Sequence, residues 1–369
     1  MNAFALIFAD IYKPNRMESL TAVRSISSVP FGCRYRLIDF TLSSLVASKV
    51  PDIGIITQFN YNSLMDHLGW GKDWDLNRKN GGLKVLTPMA EESDIHIYRN
   101  KFEAMYSVEQ YIQSRLEEYC ILSDGNMVYT FDFDDLLNFH VSKGADITVV
   151  YRKSVPKANE TQIIVDEHKR AYDALYHSQS GTKECDMLAR IFVIKKSHLL
   201  NLIKKGMTLG WEDIAKDYIS KNFNRLLVYA YEIKNYYRPI NNIEEYYNVS
   251  MELLDENIRK ELFLSGAGIL TRIKDSAPAT YGSDCVVKNS LIADGTVIDG
   301  TVENSLIFRD VKIEKGVTVK NSIIFQNSVI KSGSYLDYVI SDKEVTIGEN
   351  NNLRGVRQCP FIIAKGKTL

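Results

Sequence analysis

A chain of 369 residues, 45% hydrophobic and 25% charged, exceeds what one ordinary core encloses and predicts two globular domains. Its 45 basic and 46 acidic residues leave a net charge of -1, which excludes the electrostatic footprint of a nucleic-acid binder or of a protein held on an anionic membrane. Five scattered cysteines (Cys33, Cys120, Cys185, Cys285, Cys359) form no CxxC pair and no apolar run approaches the roughly 18 residues of a membrane span, so no disulfide framework, zinc site or export signal is expected and the cytoplasm is the expected compartment.

Phe4 to Ala9 reads as a buried strand. The segment that follows, Asp10 to Arg16, contains no glycine, although this is where a phosphate-cradling turn would stand in a nucleotide-binding domain. Short apolar runs at 53–57, 120–123, 146–150, 190–194 and 226–230 then alternate with helical patterns near 37–49, 102–118, 133–143 and 197–205. That alternation predicts a doubly wound, mostly parallel α/β domain over residues 1–255, with its site beyond the carboxyl ends of the strands. Residues 256–275 are expected to link it to a second domain.

From residue 276 to 369 a period of six appears. Val286, Ile292 and Ile298 form one row, Val311, Val317, Ile323 and Val329 a second, and Ile307, Ile313, Val319 and Phe325 a third. Three such hexads close one turn of a left-handed parallel β-helix. Asn289-Ser290, Asn304-Ser305 and Asn321-Ser322 recur at spacings of 15 and 17, as coils of that length require. An antiparallel sandwich is the alternative, and a six-residue row does not favour it. All six histidines precede residue 200, which argues against a hexapeptide acyltransferase with a histidine base on its coils. The stack's exposed strand edges predict an assembly surface instead.

Val29-Pro30-Phe31-Gly32-Cys33-Arg34-Tyr35-Arg36-Leu37-Ile38-Asp39-Phe40 resembles the VPFGGKYRLIDF of bacterial glucose-1-phosphate adenylyltransferases. Thr57-Gln58 through Ser63-Leu64 to His67-Leu68, and Gly81-Gly82-Leu83-Lys84, are similar to further segments of the same family. The resemblance implies a nucleotidyltransferase domain joined to a left-handed β-helix. In the family, a sugar-phosphate oxygen attacks the α-phosphorus of ATP while metal ions and cations offset the charge that develops. Several positions depart from its pattern. The glycine loop is absent, and Asp10 would repel phosphate. Arg16, within an RLxxLT-like segment, is the one retained candidate for a catalytic arginine. Ile26 stands where the family has the lysine of RAKP. Asn100 and Lys101 replace small residues on the nucleotide side, Asn126 replaces a metal-binding aspartate, and Pro239 replaces the second. No EKP occurs between Ala171 and Gly181.

These losses imply a D-type, catalytically degenerate subunit of glycogen biosynthesis. It would hold no metal or cofactor of its own, the Mg2+ belonging to a catalytic partner in a hetero-oligomer, by resemblance a heterotetramer. Arg34 and Arg36 fall where the family has an effector pocket, implying an anionic sugar-phosphate ligand; ordinary surface or salt-bridged arginines are the plainer reading. Two alternatives stand beside this one: an active sugar-1-phosphate nucleotidylyltransferase relying on Arg16, Asp124 and Asp132, and a stand-alone binding or scaffold protein. His67 belongs to the retained frame and is expected to be structural.

Overall fold

The computed structural model describes residues 1–10, 17–79, 81–88, 90–91, 94–95, 97–264, 266 and 268–369. They fall into two compact units. The first comprises Met1–Lys13, Phe40–Tyr61 and Leu68–Tyr237, and the second Pro14–Asp39, Asn62–His67 and Arg238–Leu369.

Among the described residues of the first unit, nine strands form one sheet: β1 (Ala3–Asp10), β2 (Asp52–Thr57), β3 (Gly82–Leu86), β4 (Tyr119–Asp124), β5 (Ile147–Ser154), β6 (Glu160–Val165), β7 (Ala171–His177), β8 (Cys185–Lys195) and β9 (Val228–Glu232). Their order is β7-β6-β8-β4-β1-β2-β3, with β5 added to β8 and β9 to β5. β4, β1, β2 and β3 are mutually parallel, while β8 runs antiparallel to both β4 and β5. The helical patterns become α1 (Leu37–Ala47), α2 (Lys101–Ser107) with a short following helix Glu109–Ser114, α3 (Phe133–Ser142) and α4 (Lys196–Leu209). Periodicity misses β3, β6 and β7, the strands at the two margins of the sheet. On β7 only Ala171 is fully buried, so this edge strand carries little of the apolar signal that marks a core strand.

The core explains an otherwise unfavourable residue. Phe4, Leu6, Phe8, Leu122, Val149 and Phe102 belong to one buried cluster that takes in Leu199, Leu202 and Ile203 of α4. Gly206 sits within that helix, where glycine costs roughly 1 kcal/mol relative to alanine. A Cβ at this position would meet the Phe102 ring at 2.2 Å. Glycine is what lets α2 and α4 approach so closely.

In the second unit the β-helix is built from three parallel five-stranded sheets, among the described residues. Its repeats have a specific hydrogen-bond logic. Asn289, Asn304 and Asn321 turn successive corners with φ of 41, 46 and 46°, a left-handed conformation that asparagine tolerates better than most residues. Asn289 Nδ2 donates to Asn304 Oδ1 at 2.8 Å. The serine after each asparagine serves the next coil: Ser290 Oγ accepts from Ser305 N–H at 3.1 Å, and Ser305 Oγ from Ser322 N–H at 3.1 Å.

The same corner corrects the hexad reading. The interior runs Val302, Ile307, Ile313, Val319, Ile324, Ile330 and Leu336, so one residue drops out of the period at each Asn-Ser corner. A strict hexad would send Phe325 and Val329 inward. Instead Val329 is half-buried, and Phe325 is buried outside the prism, 4.9 Å from the Phe308 centroid. Val286 is 40% exposed, with Val287 packing on the interior in its place.

Candidate functional site

The carboxyl edge of the sheet is where a nucleotide site would lie, and here an ion pair occupies the end of β4. β1 ends at Asp10 and β4 at Asp124, with Phe8 paired to Asp124 across the two strands. Residues 11–16, and with them Arg16 and most of the glycine-free segment, lie outside the described residues. Asp124 is buried, and its carboxylate forms an ion pair with the ammonium of Lys101, itself buried. The same ammonium stands 4.8 Å from the Phe8 ring centroid, close enough for a cation–π contribution. Arg190 Nη1 lies 3.5 Å from the second Asp124 oxygen. β8 delivers that guanidinium through a bulge opposite Val149 and Tyr151, where Arg190 takes φ 54°; bulges commonly re-aim a side chain in this way.

Local sequence explains how Lys101 is placed. Asn100 caps α2, its Oδ1 accepting from Glu103 N–H at 3.0 Å, while Glu103 takes the Arg99 N–H at 2.8 Å and the Arg99 guanidinium at 2.9 Å. This is a reciprocal helix start, and it fixes Lys101 as the first helical residue. Asn126 follows β4 and is half-buried. Asp132 caps α3, accepting from the N–H groups of Asp134 and Asp135 at 2.9 and 3.1 Å. Pro239 ends a short strand, Tyr237–Pro239, and offers no ligand atom from its side chain.

A divalent cation needs several oxygen donors. No cluster of three or more His, Cys, Asp or Glu able to hold one occurs among the described residues. The carboxylate at the end of β4 already has an ammonium as counter-ion. Among the described residues, a carboxylate already held by an ammonium in this way does not fit a Mg2+ ion.

The second unit holds a different arrangement. Pro30–Phe31 and Tyr35–Arg36 pair as a hairpin around Gly32, Cys33 and Arg34. Gly32 has φ 57° and Cys33 φ 66°, so Cys33 bears a left-handed backbone that costs a non-glycine residue roughly 1 kcal/mol. The hairpin carries Arg34 and Arg36 to a recess of about 90 Å3, bordered also by Arg272, Lys274, Arg309 and Lys343. His67, Asp310, Gln326 and Asn327 add to the polar lining.

The two predicted arginines differ in how they are held. Arg34 is exposed and reaches over the Tyr35 ring at 5.8 Å. Arg36 is anchored: its Nη1 donates to Ser63 O and Oγ, both at 2.7 Å, and its backbone N–H to Asp39 at 2.9 Å. Burial pulls the Arg36 guanidinium down to about 10, which leaves it charged at neutral pH. Burial also lowers the His67 pKa, against the pull of Asp39, whose carboxylate is 2.6 Å from Nε2. Lys343 is lowered to about 7 by burial first, then by Arg36 and Arg24. Behind the recess, Arg24 pairs with Asp342 at 2.9 Å, both almost fully enclosed.

Sequence reasoning placed Arg34 and Arg36 together and missed their companions. Lys274, Arg309 and Lys343 lie over two hundred positions further along, with no spacing to signal that they converge on one hairpin. Lys101 was read as bulk, and its ion pair with Asp124 was not foreseen.

Residues 13–163 match the nucleotidyl transferase family, and residues 277–356 match the GlmU-like, C-terminal hexapeptide family. The chain is similar to the glycogen biosynthesis protein GlgD of Bacillus subtilis (strain 168), 33% identical over 350 residues that cover 95% of this chain and 92% of that protein. It is 37% identical over 354 residues to the GlgD protein of Geobacillus stearothermophilus, with the same shares covered. A glucose-1-phosphate adenylyltransferase of Geobacillus stearothermophilus is 28% identical over 318 residues, covering 83% of this chain and 80% of that one. No helix among the described residues is long and apolar enough to cross a membrane. Retained frame, nucleotidyltransferase sheet and hexapeptide coils agree with these relatives over nearly the whole length: the chain belongs to the glucose-1-phosphate adenylyltransferase family of glycogen biosynthesis, within the group that includes the GlgD proteins.

Proposed function

We propose that this chain is a catalytically degenerate, regulatory subunit that assembles with a catalytic glucose-1-phosphate adenylyltransferase and modulates its conversion of ATP and glucose 1-phosphate to ADP-glucose and pyrophosphate. The observation that carries the reading is the Lys101 and Asp124 ion pair at the end of β4. A tethered ammonium neutralises the carboxylate from inside the protein, where an active site would need that charge for a metal ion and the charge it stabilises in the transition state. Mg2+ belongs, in this reading, to the catalytic partner. The reading as an active enzyme relies on Arg16, Asp124 and Asp132; Arg16 lies outside the described residues, Asp124 is paired with Lys101 and Asp132 caps α3.

The basic recess supplies the regulatory half of the proposal. Arg34 and Arg36, with Lys343 beside them, suit a phosphate-bearing sugar, because guanidinium groups pair in bidentate fashion with phosphate oxygens. Pyrophosphate release should be absent from the purified chain and, on mixing with its catalytic homologue, the homologue's rate or sugar-phosphate response should change. Robust activity of the chain alone would sink the reading, and an unchanged partner of unchanged oligomeric size would favour the scaffold alternative. In the mixed complex Arg34→Ala is expected to blunt the sugar-phosphate response.

The recess also carries a pH signature. Arg24, Arg36, Lys274 and Asp342 act on Lys343, and only its protonated form attracts an anion. Sulfate, whose charge is constant near neutrality, should bind with proton uptake, its affinity falling by up to about tenfold per pH unit above the Lys343 pKa. Titration calorimetry in buffers of different ionisation enthalpy measures that uptake. Lys343→Met should abolish both the uptake and the slope; a slope that survives it would assign the proton elsewhere.

A further inference from the structure

A second cavity, in the first unit, has a chemistry opposite to that of the basic recess. It is a half-open pocket of about 430 Å3 beside β9, lined by Phe131, Phe139 and Tyr231 together with Asp132, Glu232 and Lys169. That volume lies within the range of small-molecule sites, about 300–1,000 Å3.

Alternation along β9 builds its floor. Val228 and Ala230 are fully buried in the core, so Tyr229 and Tyr231 emerge on the other face, each half-buried. Phe139 from α3 meets Tyr231 edge-on at 5.3 Å and 72°, and Phe131 meets it at 5.8 Å and 88°. The Tyr231 hydroxyl donates to Asp135, which fixes the ring. On the opposite wall Lys169 donates to the Tyr151 hydroxyl at 2.7 Å and lies 3.5 Å from Glu232, so this part of the rim is also pre-positioned.

The charges decide the ligand class. Asp132 and Glu232 face Lys169 and Lys234 around the rim, two negative against two positive, so the lining is balanced. A phosphorylated or nucleotide ligand gains little there and meets two carboxylates. A purely apolar ligand would desolvate charged groups, the Glu232–Lys169 pair among them, and return no hydrogen bonds. What suits rigid aromatic rings inside a rim of mixed donors and acceptors is a neutral molecule with C–H faces and many hydroxyls. We infer that this cavity is a binding site for a neutral saccharide.

Titration calorimetry of the full chain with maltotriose, and with cellotriose as the alternative linkage, tests this. Saturable binding of either at millimolar concentration is expected, weakened about tenfold by Tyr231→Ala and by Phe139→Leu, each worth on the order of one decade in affinity. Arg34→Ala should leave it unchanged. Should either aromatic variant lose its circular-dichroism signature, Glu232→Gln and Lys169→Met serve instead, with about fivefold weakening expected from lost hydrogen bonds. No saturable binding of either sugar, or affinity unaltered in the folded variants, would overturn the inference. The outcome is independent of whether the chain regulates a catalytic partner.

Discussion

Asp342→Ala is expected to destabilise the second unit by about 3–5 kcal/mol, the scale on which a buried charge left without its partner is measured. Arg24 and Asp342 are separated by 318 positions in the chain, yet their side chains are 2% and 0% exposed and 2.9 Å apart. The guanidinium also donates to Leu20 O at 3.1 Å, and the carboxylate takes the Lys343 N–H at 2.7 Å. Removing the carboxylate leaves Arg24 enclosed next to the other cations of the recess, with one backbone carbonyl as consolation. Urea denaturation followed through the tyrosine signal should show a lower midpoint with little change in slope. Arg24→Leu combined with Asp342→Leu should recover most of the loss, because an apolar pair of similar volume avoids desolvating two charges. A single substitution costing under about 1 kcal/mol would mean that water reaches the pair and that it belongs with surface ion pairs.

This pair shows where sequence reading reaches and where it stops. The β-helix was legible because six-residue rows and Asn-Ser repeats are local signals of one supersecondary unit repeated. Its interior was misassigned by one position at Val286 and Val329, because the corner that drops a residue is set by the left-handed asparagine and by serine hydrogen bonds to the next coil. Strands such as β1 and β4 were visible as apolar runs. β7 was not, because an edge strand can alternate polar and apolar residues without a strong buried face. By resemblance, Asn126 and Pro239 stand where the family has metal-binding aspartates, and that much the sequence exposed. It could not expose what replaces it. Lys101 and Asp124 are 23 positions apart, on a helix start and a strand end whose meeting depends on the sheet order and on the Asn100 cap.

Lys101→Met tests that replacement and is the second large effect expected. It removes the ammonium and keeps an unbranched apolar stem of similar reach. Asp124 then remains 6% exposed with Arg190 at 3.5 Å as the nearest cation among the described residues, a long contact from a side chain that is itself 38% exposed. Breaking one side of a buried pair predicts a loss of about 3–5 kcal/mol, read as a fall in denaturation midpoint of the first unit. Lys101→Met with Asp124→Leu should come within about 1 kcal/mol of the parent, since neither charge is left buried alone. The functional readout separates two meanings of the pair. If Lys101 merely obstructs an otherwise competent site, freeing Asp124 should let Mn2+ bind and pyrophosphate release begin. If the site is degenerate throughout, as the proline at 239 and the asparagine at 126 imply by resemblance, the single variant should be less stable and equally inactive, with Mn2+ affinity no better than millimolar by paramagnetic resonance. Activity gained by one substitution would return the chain to the enzymes; stability lost without activity would leave Lys101 as a structural cation in the place of a catalytic one.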